Sequence, residues 1–154
     1  MLSMILAALL TISLGQDEAA ALHEQSDYAA LERTGVMIRA AFARGDVDAV
    51  MACHHPAVEK SFGPDSRLVG KAAVAANLAE ALATNRLEFL YNNVESMLIN
   101  GDVAVEQSVF AIKGTPKAGG AAWTFRGRTQ VVYLRDPSTP CGWSTIRELV
   151  QPAT

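Results

Sequence analysis

The sequence predicts an α+β domain in which three N-terminal helices precede an antiparallel sheet of at least four strands. Apolar residues recur at three- and four-residue steps up to Thr84, and from Leu87 onward the period falls to two. Helix-like and strand-like segments fall into separate halves, without internal repeats, which is the α+β pattern. Asn100-Gly101-Asp102, set between two alternating segments, supplies a hairpin signal. With 154 residues, 50% of them hydrophobic and 19% charged, there is material for one core and no room for a second domain.

The chain opens on an uncharged apolar run from Leu2 to Leu14, followed by Gly15 and Gln16-Asp17-Glu18. This run is shorter than the roughly 20 apolar residues that span a bilayer, and the small residues Ser13 and Gly15 suit cleavage before Gln16. Residues 1–15 are therefore read as a secretory signal, although Lys and Arg are missing from their start. An uncleaved N-terminal helix and a misplaced start are the alternatives. Cleavage would make the mature protein secreted or periplasmic, with no membrane segment; without it the protein would be cytoplasmic. Residues 16–26 form an acidic lead-in, and from Asp17 to Glu32 there are five acids and no Lys or Arg.

The domain is expected over residues 27–151. Tyr28, Leu31, Gly35, Ile38, Ala41 and Phe42 form one apolar stripe on a helix from about Asp27 to Arg44, which Gly45 stops. Asp46 is placed to cap a short second helix carrying Val47, Val50 and Met51. A turn cluster, Gly63-Pro64-Asp65-Ser66, precedes a third helix from Lys71 to Thr84 that buries Val74, Leu78, Ala81 and Leu82. Four strands follow, over Leu87–Ile99, Val103–Lys113, Trp123–Arg135 and Trp143–Gln151.

Ala43-Arg44-Gly45-Asp46-Val47-Asp48-Ala49, Leu68-Val69-Gly70-Lys71-Ala72-Ala73-Val74, Gly127-Arg128-Thr129 and Gly142-Trp143-Ser144-Thr145-Ile146-Arg147-Glu148 occur in an order that resembles the nuclear transport factor 2-like superfamily. That superfamily takes in the SnoaL-like cyclases and the ketosteroid isomerase-like proteins. The resemblance covers Asp27 to Gln151 and implies a cystatin-like α+β roll, in which a curved sheet wraps helices around a conical pocket and often dimerises. It also places the isomerase's aspartate base at Lys60, its tyrosine donor at Ile38 and its protonated acid at Gln130. An ammonium, an alkyl chain and an amide cannot perform that acid–base chemistry, so steroid isomerisation is disfavoured.

Alternation along the strands, combined with the resemblance, puts Glu106, Arg128, Gln130 and Glu148 on the concave face. Two carboxylates beside one guanidinium would make a net negative site. Glu106 and Glu148 are then the candidate acid and base, with an internal salt-bridge network or solvent exposure as the structural alternatives. His54-His55-Pro56 lies at the expected pocket edge, where one of the two histidines can face inward; His54 and Lys60 complete the ligand-binding candidates. Glu59 and Lys60 could equally be a solvated rim pair. A metal would need more ligands than the remaining His23 supplies, and no metal or cofactor is expected.

A net charge of −3 without a basic cluster argues against nucleic acid. No phosphate-binding glycine motif, serine-hydrolase elbow or Cys-x-x-Cys pair is present. Cys53 and Cys141 could pair if the protein is exported, and the sequence leaves that open. The expected function is binding of a small apolar or carbonyl-containing ligand, with lyase, isomerase or cyclase chemistry unresolved. A non-catalytic dimerising module is the alternative. Val105, Val109, Val131, Tyr133 and Trp143 are expected on the outer sheet face, where they would favour a homodimer.

Overall fold

The computed structural model describes the backbone of residues 2–153 and the side chains of residues 16–153. Helix α1 (Leu2–Arg44) starts far upstream of the expected Asp27 and ends as expected at Gly45, whose φ of 73° is the left-handed conformation common after a helix. The expected signal segment lies outside the residues whose side chains are described. Residues 16–26 form an exposed stretch of α1. Among the described residues no helix is long and apolar enough to cross a membrane.

The α1 stripe packs as its period requires, with Leu31 and Ala41 buried and Ile38 and Phe42 against the core. Tyr28 departs from it and is exposed. Asp46 caps α2 (Val47–Met51) by accepting the Ala49 N–H at 3.0 Å. A hairpin that the sequence reading left out follows, β1 (His54–Phe62) and β2 (Arg67–Val69), turned by the predicted 63–66 cluster. Helix α3 (Lys71–Thr84) has the predicted bounds. Strands β3 (Asn85–Asn100), β4 (Val103–Pro116), β5 (Trp123–Arg135) and β6 (Trp143–Pro152) complete the chain.

The six strands form one mixed sheet in the order β2-β1-β6-β5-β4-β3. Every pairing is antiparallel except β1 with β6, which run parallel. That pairing joins the two ends of the domain, beyond the reach of local periodicity. The β3–β4 turn is built on Gly101-Asp102, one residue later than an Asn-Gly turn: Gly101 takes φ 59° and no non-glycine residue has a positive φ among the described residues. Register shifts at Phe89/Tyr91, Val94/Ser96 and Val132/Tyr133 bend the sheet, and α1 and α3 close over its hollow side.

Leu31 of α1 packs on Ala104, Val131, Tyr133 and Trp143 to form one core cluster, while Ala41, Val50, Met51, Val58 and Val74 form another. Val131, Tyr133 and Trp143 are thus corrected from the outer face to the inner one, covered by the chain's own helix. Val105 and Val109 do lie on the outer face, half-buried. Two ties hold the N-terminal part to the sheet. Asp27 on α1 accepts both guanidinium N–H groups of Arg135 at 2.7 and 2.8 Å, and that guanidinium stacks 4.4 Å above the Trp143 ring. The Cys53–Cys141 disulfide, with Cα atoms 6.1 Å apart, joins the start of β1 to the β5–β6 loop.

Candidate functional site

Residues paired directly across neighbouring strands point to the same side, so the register lays out the hollow face in rows. One row is Ala104, Tyr133, Thr145 and His54; the next is Glu106, Val131, Glu148 and Lys60; a third starts with Ser108, Thr129 and Val150. Strands lie about 4.8 Å apart, so the backbones of Glu106 and Glu148 stand about 10 Å apart on either side of Val131. The bulge between Val132 and Tyr133 leaves Ile146 unpaired, and this brings Thr145 and Glu148, three positions apart, onto one face.

Above this floor lies a cavity of about 410 Å³. Its walls are mostly apolar: Ile38 and Phe42 from α1, Leu78 from α3, and Phe89, Phe110 and Phe125 from the strands. These rings follow one another in tilted contacts, with centroids 5.2 Å apart for Phe42–Phe89, 6.2 Å for Phe89–Phe110 and 5.8 Å for Phe110–Phe125. Gly127 lets the chain pass close to the Gln151 carbonyl, which a Cβ there would approach to 2.7 Å, and packs beside the Phe110 ring.

The polar groups gather on the floor. Glu106 is buried and accepts a hydrogen bond from the Tyr133 hydroxyl at 3.3 Å. Burial pushes its carboxyl above the usual range, against the smaller opposing pull of Tyr133 and Ser108. Burial and the neighbouring Glu106 likewise push the Tyr133 phenol up, so it stays protonated as a donor. On the other side of Val131, Lys60 Nζ lies 2.5 Å from a Glu148 carboxylate oxygen, and Thr129 donates to the other at 3.4 Å. Burial opposes ionisation of Glu148, but Lys60, with help from His54 and Thr129, outweighs it and holds the carboxyl below its usual range.

His54 is 3% exposed, and its Nδ1 lies 2.8 Å from the Val50 carbonyl. A carbonyl only accepts, so Nδ1 carries the proton and Nε2 the lone pair. Burial first and the Lys60 charge second push this imidazole down to about 3, so it is neutral at physiological pH. His55 is the outward member of the pair, its Nδ1 accepting the Ala57 N–H at 3.1 Å.

The structure therefore brings Glu106, Glu148, His54 and Lys60 together, and leaves out Arg128 and Gln130. Arg128 lies on the outer face, exposed and paired with Glu95 at 2.9 Å. Gln130 is exposed on that face beside Leu149 and Arg147, around a shallow depression, so it cannot stand in for a pocket acid. The sequence reading inverted β5: the residues facing the cavity are Phe125, Thr129, Val131 and Tyr133. Composition carried the signal, because that set is more apolar than Arg126, Arg128 and Gln130. Nor are Glu59 and Lys60 a rim pair: Glu59 faces outward to Arg67 at 2.6 Å and Arg147 at 3.5 Å, while Lys60 points into the cavity.

Arg39 of α1 also escaped the sequence reading. It lines the cavity, half-buried, and makes no hydrogen bond or ion pair among the described residues. Its guanidinium folds back over Gly35, one turn earlier, where a Cβ would lie 2.9 Å from Nη1. Glycine inside a helix costs about 1 kcal/mol relative to alanine, and here its missing Cβ leaves room for the guanidinium. Among the described residues no group of three or more His, Cys, Asp or Glu is arranged to hold a metal ion.

Residues 37–136 match the family model for the SnoaL-like domain. A search of curated proteins returned no significant match. Among solved structures, a conserved protein from Planctomyces limnophilus superposes with a TM-score of 0.75 at 20% identity, covering 84% of this chain and 99% of its own. A ketosteroid isomerase-like protein from Erwinia carotovora atroseptica gives 0.69 at 19% identity, covering 82% and 95%. A candidate scytalone dehydratase from Novosphingobium aromaticivorans gives 0.75 at 15% identity, covering 85% and 87%. At these identities the structures share a fold, and the family match decides membership: the chain belongs to the SnoaL-like domain family.

Proposed function

We propose that the chain binds a small, largely apolar molecule in the conical cavity and moves a proton on it, in the manner of a lyase, isomerase or cyclase. The observation that carries this reading is the two-sided floor. On one side Glu106, held toward its protonated form, sits with the Tyr133 hydroxyl; on the other the neutral His54 imidazole sits with the Lys60–Glu148 pair. A ligand resting on Val131 would have a proton carrier at either edge, and walls that exclude water would strengthen both. Structural neighbours described as isomerase-like and as a candidate dehydratase support the same class.

Steroid isomerisation is not proposed, because Lys60 and Ile38 line the cavity where the resemblance calls for a carboxylate and a tyrosine. In the alternative, a dimerising module with a vestigial cavity, Phe110, Leu78 and Val132 would fill the space. Phe110 and Leu78 form wall, however, and about 410 Å³ remains open. A second copy on the outer face is compatible with catalysis, and exposed Leu98 and Leu149 there support it. The Cys53–Cys141 bond supports export, since such bonds persist in oxidising compartments.

The test is exchange of the α-protons of cyclic enones and aryl ketones in D2O, followed by NMR with wild type and Glu106→Gln. Wild type should bind and exchange one of this class, and the variant should bind it while exchanging about 100-fold more slowly. Failure of every ketone to bind, or full exchange by the variant, would overturn the reading.

A further inference from the structure

We infer that Arg39 is the anion-binding residue of the cavity, and that the ligand carries a carboxylate on an apolar skeleton of at least one ring. This rests on the small-molecule reading above and specifies the ligand's chemistry. Of the two floor carboxylates, Glu148 is matched by Lys60, and Glu106, which feels the Arg39 charge, is held toward its protonated form by burial and bonded to Tyr133. The Arg39 guanidinium itself has no partner within hydrogen-bond or ion-pair distance among the described residues. It lies over Gly35, whose lack of a Cβ leaves room for the guanidinium, Nη1 standing 2.9 Å from where that Cβ would be.

A guanidinium presents parallel N–H groups that match the two oxygens of a carboxylate. One such cation answers one negative charge, and a phosphate dianion would find no second free cation among the described residues lining the cavity. The aromatic and aliphatic walls require the rest of the ligand to be apolar, and a cavity of about 410 Å³ has room for a ring with a short chain or a larger skeleton. Bound in this way, the carboxylate fixes one end of the ligand near α1 and lays its carbon skeleton across Val131, between the groups proposed to move the proton.

The experiment compares trans-cinnamate with its neutral isostere trans-cinnamamide by calorimetric titration at pH 7, using wild type, Arg39→Met, Arg39→Lys and Gly35→Ala. Wild type should bind cinnamate at least about tenfold more tightly than the amide, which is the discrimination expected of a charge-assisted pair. Arg39→Met should bring cinnamate down to the level of the amide and leave amide affinity within about twofold, while Arg39→Lys should keep part of the preference. Gly35→Ala favours the helix but crowds the guanidinium, so it should lower the preference in a well-folded protein; it serves also if Arg39→Met fails to fold. Equal binding of the two probes to wild type would overturn the anion site and leave the pocket reading standing. A preference that survives Arg39→Met would assign the anion elsewhere and overturn it too. If neither probe binds, the anion-site inference falls, while the pocket reading is decided separately by the ketone-exchange experiment above.

Discussion

Replacing Lys60 with Met removes the only cation in contact with Glu148 among the described residues while keeping an apolar side chain of similar length. The side chains of this pair are 14% and 20% exposed, so they are closer to a buried pair than to a surface one. Losing one partner of a buried pair costs about 3–5 kcal/mol, against about 0.2–1 kcal/mol for an exposed pair. Thr129 stays at 3.4 Å and some water reaches the carboxylate, which places the expected loss near the lower limit, about 3 kcal/mol at pH 7. In a chain of this size that lowers the thermal midpoint by about 6–12 °C.

The pH dependence separates this loss from simple repacking. In wild type the folded Glu148 pKa lies below the unfolded value, so its contribution is present above the unfolded pKa and lost as pH falls through the folded one. Without Lys60, burial dominates and the folded value rises above the unfolded one, so the carboxyl destabilises the fold at neutral pH and ceases to do so once protonated. The gap between wild type and Lys60→Met, measured by urea unfolding with the disulfide intact, should be wide at pH 7 and narrow below about pH 4. Adding Glu148→Gln to Lys60→Met should recover most of the loss. A gap under about 1 kcal/mol, unchanged between pH 4 and pH 7, would show a solvated pair and refute the reasoning.

Two further outcomes concern the ties between α1, the loops and the sheet. Asp27→Asn removes a carboxylate held 2.7 and 2.8 Å from Arg135 and should cost about 1–2 kcal/mol in urea unfolding at pH 7. Arg135 holds the Asp27 pKa below its ordinary value, so this cost should shrink as pH falls through the folded pKa, and a pH-independent cost would count against the ion pair. Replacing both Cys53 and Cys141 with Ala opens a link between residues 88 apart in sequence and should cost about 4.6 kcal/mol by loop-closure entropy. An unchanged melting point in the double variant, with wild type showing no mass shift on reduction, would mean that the bond does not form in solution.

Local chemistry was enough to place most elements. The bounds of α3 and β5 follow from period and turn residues alone, and Gly45 and Asp46 mark the α1–α2 junction because one supplies positive φ and the other a capping oxygen. Relations between distant segments were harder to read. Period-two alternation divides a strand into two lists of residues, but which list joins which on the next strand depends on hairpin length and bulges. On β6 a single unpaired residue, Ile146, breaks the alternation between Thr145 and Glu148, and on β5 the wrong list was taken inward. The parallel β1–β6 pairing, which delivers His54 and Lys60 to the site, spans nearly the whole domain. Arg39 is not legible in the sequence because a charged residue beside an apolar helix stripe ordinarily points to solvent, whereas here it lines the cavity.

Inverting β5 changes the charge of the site as well as its membership. With Arg128 inside, two carboxylates would share one guanidinium and the cavity would suit a cation. With Thr129, Val131 and Tyr133 inside, Lys60 offsets Glu148, and Glu106 has a raised proton affinity and lies near Arg39. A cationic ligand would then meet an unneutralised guanidinium, whereas an anionic one would neutralise it and raise the proton affinity of Glu106 further. Such a ligand would favour the protonated acid, so binding and readiness for proton transfer would reinforce each other. The same carboxylate that recognises Arg39 would thereby help to keep the proton on Glu106 until the reaction uses it.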